Sequence, residues 1–135
     1  MISSFNNWKI SVMYKSLKLL PNNSIVSQKD RKCYVSDSMS LTIWFDKKEE
    51  IFAIELVFDL LLDECAFIHR RSGPTRYGPV DQGDARVGRH DKQTIQESQP
   101  MPTSRLNEFE KVSLQLPEKE YQFVVGALRK FLAYD

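Results

Sequence analysis

The sequence contains few of the residues that would define a known chemistry. It has two cysteines, two histidines and five glycines among 135 residues. It contains no HxH, HxxxH or HExxH pair and no run of about eighteen apolar residues. These absences argue against a disulfide-stapled scaffold, a membrane span and a conventional zinc site. We therefore expect Cys33 and Cys65 to be free thiols, and we expect neither a metal nor another cofactor.

Charge and composition are equally unspecialised. Nineteen basic and eighteen acidic residues give a net charge of +1, and 41% of the residues are hydrophobic. These values are typical of a globular protein, and a chain of this length usually forms one domain. We expect a single domain over residues 1–135. Lysines interrupt the apolar residues near the start of the chain, unlike the core of a signal peptide, and this pattern favours a cytoplasmic protein.

The clearest strand signal lies in two segments that alternate apolar and polar residues, SLTIWFD and IFAIELVFD. The charged KKEE between them is typical of a turn, so the pair predicts a hairpin. A third strand is expected over residues 65–70 after a wide turn, LLLDE, and a short one near residues 33–35. The residues of IFAIELVFD expected on one face are Phe52, Ile54, Leu56 and Phe58.

Pro117 predicts the start of a C-terminal helix, since proline fits the first helical turn, where its missing amide needs no partner. The segment KVSLQL just before it alternates and predicts another strand, over residues 112–116. Together these elements predict an α+β domain, an antiparallel sheet of about four or five strands with a C-terminal amphipathic helix packed on one face. The apolar stripe of that helix comprises Tyr121, Val124, Val125, Leu128, Phe131 and Leu132.

A change of composition marks residues 72–105. Four of the five glycines and four of the six prolines lie there, which predicts a long Gly/Pro-rich loop. Loops of this length are uncommon in compact domains and are usually functional or contain short strands. Residues 93–96 and, at the other end of the chain, residues 8–14 show weaker strand patterns.

Several of these segments together resemble a group of small uncharacterised bacterial domains. The shared features are FxIxLxFD at residues 52–59, a strand ending in FIH at residues 67–69, the run GDARVGRHDK at residues 83–92, and a final helix. Asp84 stands where that group has glutamate, and Val87 where it has proline. The resemblance implies an α+β fold and directs attention to the loop, but it implies no reaction.

The segment VDQGDARVGRHDK, residues 80–92, is the candidate site. Glycines expose backbone amides that can form an anion-binding concavity, and Arg86 and Arg89 could bind a carboxylate or phosphate in bidentate geometry. One alternative is a divalent metal held by the aspartates and histidines, which their spacing disfavours. Another is a tight turn in which Asp84 pairs with an arginine and no site exists. The candidate ligand-binding residues are Arg86, Arg89, His90, Asp84, Arg76 and Tyr77.

The sequence gives weaker support to nucleic-acid binding and to catalysis. Residues 69–92 carry six basic and three acidic side chains, and Tyr77 could stack on a base. Residues 46–64, however, carry seven acidic and two basic side chains, and such neighbouring patches usually satisfy each other or a protein partner. Cys65 and His69, four residues apart on a predicted strand, lack the arrangement of an activated nucleophile.

We therefore expect a binding or regulatory module rather than an enzyme, with a contact surface that includes the loop at residues 70–105. The expected partner is another protein or a second copy of the chain, because Trp44 and Val57 should lie on the face away from the core. Neither a membrane nor nucleic acid is expected as a partner. The alternative is a small-anion-binding protein or enzyme that uses residues 83–92.

Overall fold

The structure is a computed structural model that describes residues 16–20, 30–80 and 98–133. These segments contain six strands and two helices, so the expected α+β class is confirmed. The strands are β1 (Lys18–Leu19), β2 (Arg31–Val35), β3 (Met39–Phe45), β4 (Ile51–Phe58), β5 (Cys65–Arg70) and β6 (Arg76–Pro79). The helices are α1 (Ser104–Val112) and α2 (Glu118–Ala133).

All six strands form one antiparallel sheet in which neighbours in sequence are neighbours in space. The hairpin of β3 and β4 and the third strand β5 lie where the sequence predicts them. The expected count of four or five strands is wrong, because β1 and β6 have only two and four residues. Strands this short show too little alternation to be recognised. Because β6 lies between residues 72 and 105, part of the expected loop is a strand.

A β-bulge changes which residues of β4 face the core. The register shifts between Trp44 and Phe45, so that Phe45 pairs with Ile51. Ile51 is therefore 6% exposed and belongs to the core, whereas Phe52 is 36% exposed. The expectation that Phe52 shares the core face with the next alternate residues is wrong, since the extra residue of a bulge reverses the alternation beyond it.

The C-terminal helix is confirmed, and the strand expected just before it is wrong. Helix α2 begins at Glu118, directly after Pro117, and buries Val124, Val125 and Leu128. Residues 104–112 are helical and only the turn at 113–117 follows them. The buried side chains of α1 are Phe109 and Val112, three positions apart, which is a helical spacing that the local alternation of KVSLQL concealed.

Both helices contribute to one core on the same face of the sheet. That core joins buried residues of β2 to β6 with those of α1 and α2. Glu120 fixes the start of α2 to the sheet, because its carboxylate accepts a hydrogen bond from the Tyr34 hydroxyl at 2.5 Å and pairs with Lys32 Nζ at 2.8 Å. Burial and the Glu120 carboxylate raise the pKa of Tyr34 above its usual value.

The opposite face of the sheet, which we call the far face, has its own smaller cluster. Val57 belongs to this cluster and Trp44 is absent from the main core, so the expectation that both point away from that core is confirmed. The central part of the far face is buried rather than solvated, with Glu55 only 7% exposed. The buried members of the far-face cluster are Val57, Ala66 and Val80, and Leu60 and Ile68 pack against them.

Two further expectations concern the cysteines and the membrane. Cys33 and Cys65 are half-buried free thiols, as the sequence predicts. Within the segments that the structure describes, the helices are too short or too polar to cross a membrane.

Candidate functional site

Most of the predicted ligand-binding residues lie in a segment outside the described residues. Asp84, Arg86, Arg89 and His90 all belong to residues 81–97, which the structure does not describe. The point at which the chain enters that segment is nevertheless fixed. Val80 donates its backbone amide to the carbonyl of Glu64 at 3.0 Å, so the last described residue before that segment lies beside the turn between β4 and β5.

The other two predicted residues are neighbours on β6, and their side chains lie on opposite faces. Tyr77 is 4% exposed, and its hydroxyl accepts a hydrogen bond from Arg105 Nε at 3.0 Å. Burial raises the pKa of Tyr77, an effect that the Arg105 guanidinium opposes. A ring this buried offers no face on which a base could stack. Arg76 is half-buried opposite Ile68 and has an interaction partner of its own.

The titratable residues of β5 form no catalytic constellation. His69 Nδ1 is 2.7 Å from Thr75 Oγ1, and its ring packs 5.8 Å from the ring of Phe123. Burial, and then the charge of Lys130, lower the pKa of His69, so its surroundings disfavour the charged imidazolium. Among the described residues no group of three acidic, histidine or cysteine side chains could hold a metal ion.

The exposed feature with the most distinctive geometry is the turn between β4 and β5, residues 59–64, which we call the β4–β5 tip. Asp59 and Leu61 have positive φ angles of 57° and 67°, a conformation that costs a non-glycine residue about 1–2 kcal/mol. The turn is closed by hydrogen bonds from the Leu62 amide to the Asp59 carbonyl and from the Leu61 amide to the Glu64 carboxylate, both 2.9 Å long. The backbone of the tip is therefore held in one conformation.

This fixed turn presents two apolar side chains to solvent. Leu61 is 92% exposed and Leu62 is 75% exposed, while the neighbouring Asp63 is also exposed and Glu64 is half-buried. Leu60, by contrast, packs against the far-face cluster, and its amide donates to the Ser38 carbonyl at 3.2 Å. The tip is thus anchored through Leu60, and its next two leucines contribute nothing to the core.

Arg105, near the start of α1, holds the base of the tip. Its guanidinium pairs with Asp59 at 2.8 Å and with Glu108 at 2.9 Å, and it donates to the Tyr77 hydroxyl as well. Its Cζ atom lies 4.6 Å from the centroid of the Phe58 ring. Only 11% of the Arg105 side chain is exposed. All three guanidinium nitrogens of Arg105 therefore have hydrogen-bond partners. Arg105 stabilises the fold and is not arranged to bind an anion.

A small cavity lies near the opposite end of β4, where the bulge occurs. Its volume is about 80 Å³. Trp44, Phe52 and Ile68 contribute apolar walls, and Glu55 and Arg70 are its charged lining residues. Arg70 is exposed and, within the described segments, has no ion-pair partner, whereas Arg71 pairs with Asp46 at 2.8 Å. The cavity has room for one small apolar group beside a cation.

Comparisons of the chain with protein-family models, with curated proteins and with solved structures find no significant match. The interpretation of the site therefore depends on its geometry. The sequence predicts only a wide turn at LLLDE and does not identify Leu61 and Leu62 as functional candidates. The available signal was three consecutive leucines in a segment too short to be an element, where turn residues are normally polar or glycine.

Proposed function

We propose that this chain is a protein-interaction module that docks through the β4–β5 tip. The observation that supports the proposal is the exposure of Leu61 and Leu62 on a turn whose backbone is held by hydrogen bonds. An exposed leucine is common on its own, but two adjacent ones on a conformationally constrained turn are not explained by folding. Backbone strain of this kind persists where the surrounding structure enforces it, and it concentrates at sites of function.

The free energies involved favour a binding role for Leu61 and Leu62. A leucine with positive φ costs about 1–2 kcal/mol of folding free energy. Transfer of a leucine side chain from water to an apolar site contributes about 1.5–3 kcal/mol, so the two leucines together could contribute about 3–6 kcal/mol to a complex. Residues that dominate binding in protein interfaces have values of this size. Because the turn is already ordered, little entropy is lost when it docks.

The charges around the tip indicate the chemistry of the partner. Asp63 is exposed beside the two leucines, and Glu64 is half-buried next to it. Carboxylates at this position would be repelled by an anionic lipid surface or a nucleic acid. The surface that fits is an apolar cleft bordered by lysine or arginine on another protein, since a complementary charge at the rim selects the correct partner.

Site-specific photo-crosslinking in cells that produce the chain would test this proposal. A photoreactive residue at position 62 should form an adduct with a defined protein, and the same residue at position 114 should not. Leu114 is the matched control because it is also an exposed leucine in a turn, at 78% exposure, but it lies between the helices.

The crosslinked protein is then purified and its affinity measured. We expect the double variant Leu61→Ser/Leu62→Ser to weaken binding by about 100-fold or more, which corresponds to about 2.7 kcal/mol, whereas Leu114→Ser should change it less than twofold. Equal adducts at positions 62 and 114, or equal affinity of the double variant and the parent, would contradict the proposal.

The alternative proposal, that Arg86 and Arg89 bind a small anion, has a separate test. A thermal-shift screen of anionic metabolites would compare the parent with the double variant Arg86→Ala/Arg89→Ala. A true ligand should raise the melting temperature of the parent alone, because it stabilises only the form that binds it. An equal shift in both proteins, or no shift with any anion, would count against this alternative.

A further inference from the structure

We infer that the partner of the β4–β5 tip is a second copy of the same chain, and that the tip of each copy docks into the cavity beside Trp44 and Phe52 of the other. This inference rests on the proposed function of the tip. It adds the identity of the partner and the surface that receives the leucines.

The size and lining of the cavity fit a leucine side chain. The volume is about 80 Å³, which lies between the roughly 30 Å³ that one water occupies and the roughly 150 Å³ of an apolar cavity that holds benzene. Trp44, Phe52 and Ile68 supply an indole, a phenyl and an aliphatic wall. Four branched carbons would fit this space, whereas a nucleotide or another cofactor would not.

The charges at the two surfaces are complementary. Asp63 and Glu64 flank the leucines of the tip, and Arg70 lines the cavity, is exposed and has no ion-pair partner in the described segments. Glu55, the other charged lining residue, is 7% exposed and already has an interaction of its own. An incoming carboxylate would therefore meet the Arg70 guanidinium, and this contact would orient the tip over the cavity.

The sheet geometry allows both contacts to form in one symmetric dimer. The cavity lies at Phe52 and the tip begins after Phe58, so the two are separated along β4 by about 20 Å at 3.3 Å per residue. If the β4 strands of two copies run antiparallel and the copies touch at the two ends of these strands, each tip lies at the cavity of the other copy. Such an arrangement is a closed two-fold interface, in which the same pair of surfaces meets twice.

The tip and the cavity lie at the two ends of the far-face cluster. Leu60, at the base of the tip, packs against the far-face cluster, and so does Ile68, which also lines the cavity. Because that cluster is itself buried, with Val57 4% and Ala66 0% exposed, the two copies would touch at its two ends and not across it.

Sedimentation equilibrium of the parent and three variants tests the inference. At about 100 μM, a concentration at which a dimer with a micromolar Kd is mostly formed, the parent and the control Leu114→Ser should have the mass of a dimer. Leu61→Ser/Leu62→Ser and Arg70→Glu should have the mass of a monomer. A parent that is monomeric under these conditions would overturn the inference, and so would a dimer that persists in Leu61→Ser/Leu62→Ser.

A charge exchange between copies tests the pairing itself. Asp63→Lys and Arg70→Glu should each be monomeric alone, because every contact in their homodimers pairs like charges. Mixed in equal amounts, they should form a dimer, since one contact is native and the other pairs the introduced lysine with the introduced glutamate. Lys119→Glu, an exposed charge reversal on α2, should dimerise like the parent. Failure of the mixture to dimerise would overturn the assignment of the cavity as the receiving surface.

These outcomes also separate the inference from the proposed function. If a different protein crosslinks at position 62 and its binding depends on Leu61 and Leu62, while the parent sediments as a monomer, the tip is a docking site and the second copy is not its partner. If neither a partner nor a dimer depends on the two leucines, both proposals fail.

Discussion

The two turns that flank β4 share two backbone features but expose opposite kinds of side chain. Residues 46–50 connect β3 to β4, and residues 59–64 form the β4–β5 tip. Each contains a non-glycine residue with positive φ, Glu49 at 65° and Leu61 at 67°. In each, a carboxylate accepts amides of its own turn: Asp46 from Lys48 and Glu50 at 2.8 and 3.0 Å, and Glu64 from Leu61 at 2.9 Å.

The side chains that the two turns expose differ completely. The β3–β4 turn presents Lys47 and Lys48, whereas the tip presents Leu61 and Leu62. The lysines show that a turn of this kind in this sheet needs no apolar residue. The leucines of the tip are therefore not explained by the turn alone, and this difference is the physical basis for proposing a docking role for one turn only.

The largest expected difference concerns the arginine that anchors each turn. Arg105→Ala should lower the free energy of unfolding by about 2–3 kcal/mol, because it removes the Arg105 donor from the buried Tyr77 hydroxyl and exposes the Phe58 ring. We place this below the full cost of breaking a buried ion pair, since the Asp59 side chain is 42% exposed. Arg71→Ala should cost less than about 1 kcal/mol, because the Arg71 side chain is 50% exposed.

Urea unfolding of the two variants measures this difference directly. Arg105→Lys is the control for charge, because lysine keeps the positive charge but cannot make all three hydrogen bonds of the guanidinium. It should lose most of the stability that Arg105→Ala loses. Equal losses for Arg71→Ala and Arg105→Ala would mean that both turns are anchored in the same way.

Glycine at the two positions with positive φ, 49 and 61, should change the free energy of unfolding by a smaller amount and with the opposite sign. Relief of positive φ contributes about 1–2 kcal/mol, and the greater freedom of glycine in the unfolded chain takes back about 0.5–1 kcal/mol. Glu49→Gly and Leu61→Gly should therefore each raise stability by about 0.5–1 kcal/mol. Only Leu61→Gly should also weaken binding at the tip.

This pair of variants separates stability from function. Thermal unfolding gives the first quantity, and affinity for the crosslinked partner gives the second. A gain in stability at Leu61 with a loss of binding is the trade-off expected of a residue retained for function. A loss of stability in Leu61→Gly would mean that the leucine supports the fold, which would remove the argument from strain.

Much of the fold could be predicted from local patterns, because those patterns record burial on one face. The alternation from Leu41 to Phe58 identified the central hairpin, and the helical spacing of Val124 and Leu128 identified α2. The alternation predicts the wrong face for Phe52 because the bulge arises from the pairing of Phe45 with Ile51. That pairing is a tertiary contact, and no pattern within one strand contains it.

The site was less predictable, for a different physical reason. The loop around Arg86 drew attention because charged residues and glycines suggest chemistry, and it lies outside the described residues. The tip is not predicted by the sequence because exposure is a tertiary property. LLLDE is equally compatible with a buried corner, as at Leu60, and with an exposed one, as at Leu61 and Leu62. The partner of Arg105 was likewise unpredictable, since Asp59 and Arg105 are far apart in sequence and meet only in the fold.

The smallest expected effect concerns the pH dependence of the β3–β4 turn. Hydrogen bonding of Asp46 to the Glu50 amide, and then to Arg71, lowers the pKa of this carboxyl below its usual value of 3.8. Because the folded-state pKa is the lower one, the contribution of Asp46 to stability is fully present above pH 3.8 and is lost as the pH falls through the lower folded-state value. At neutral pH Asp46 should therefore make its full contribution to the stability of the turn.

The difference in unfolding free energy between the parent and Asp46→Asn isolates this contribution, since the titration of all other groups cancels. The difference should be constant near neutral pH and should shrink towards zero in acid. Glu49→Gln is the control, because it removes a charge from the same turn and its side chain accepts no hydrogen bond within the described segments. The protection factors of the Lys48 and Glu50 amides, which correct for the intrinsic pH dependence of exchange, should fall over the same acidic range, because both amides donate to the Asp46 carboxylate. If this difference in unfolding free energy did not depend on pH, Asp46 would act through its shape and not its charge. The comparison of the β3–β4 turn with the tip, in which a carboxylate charge holds each turn, would then fail.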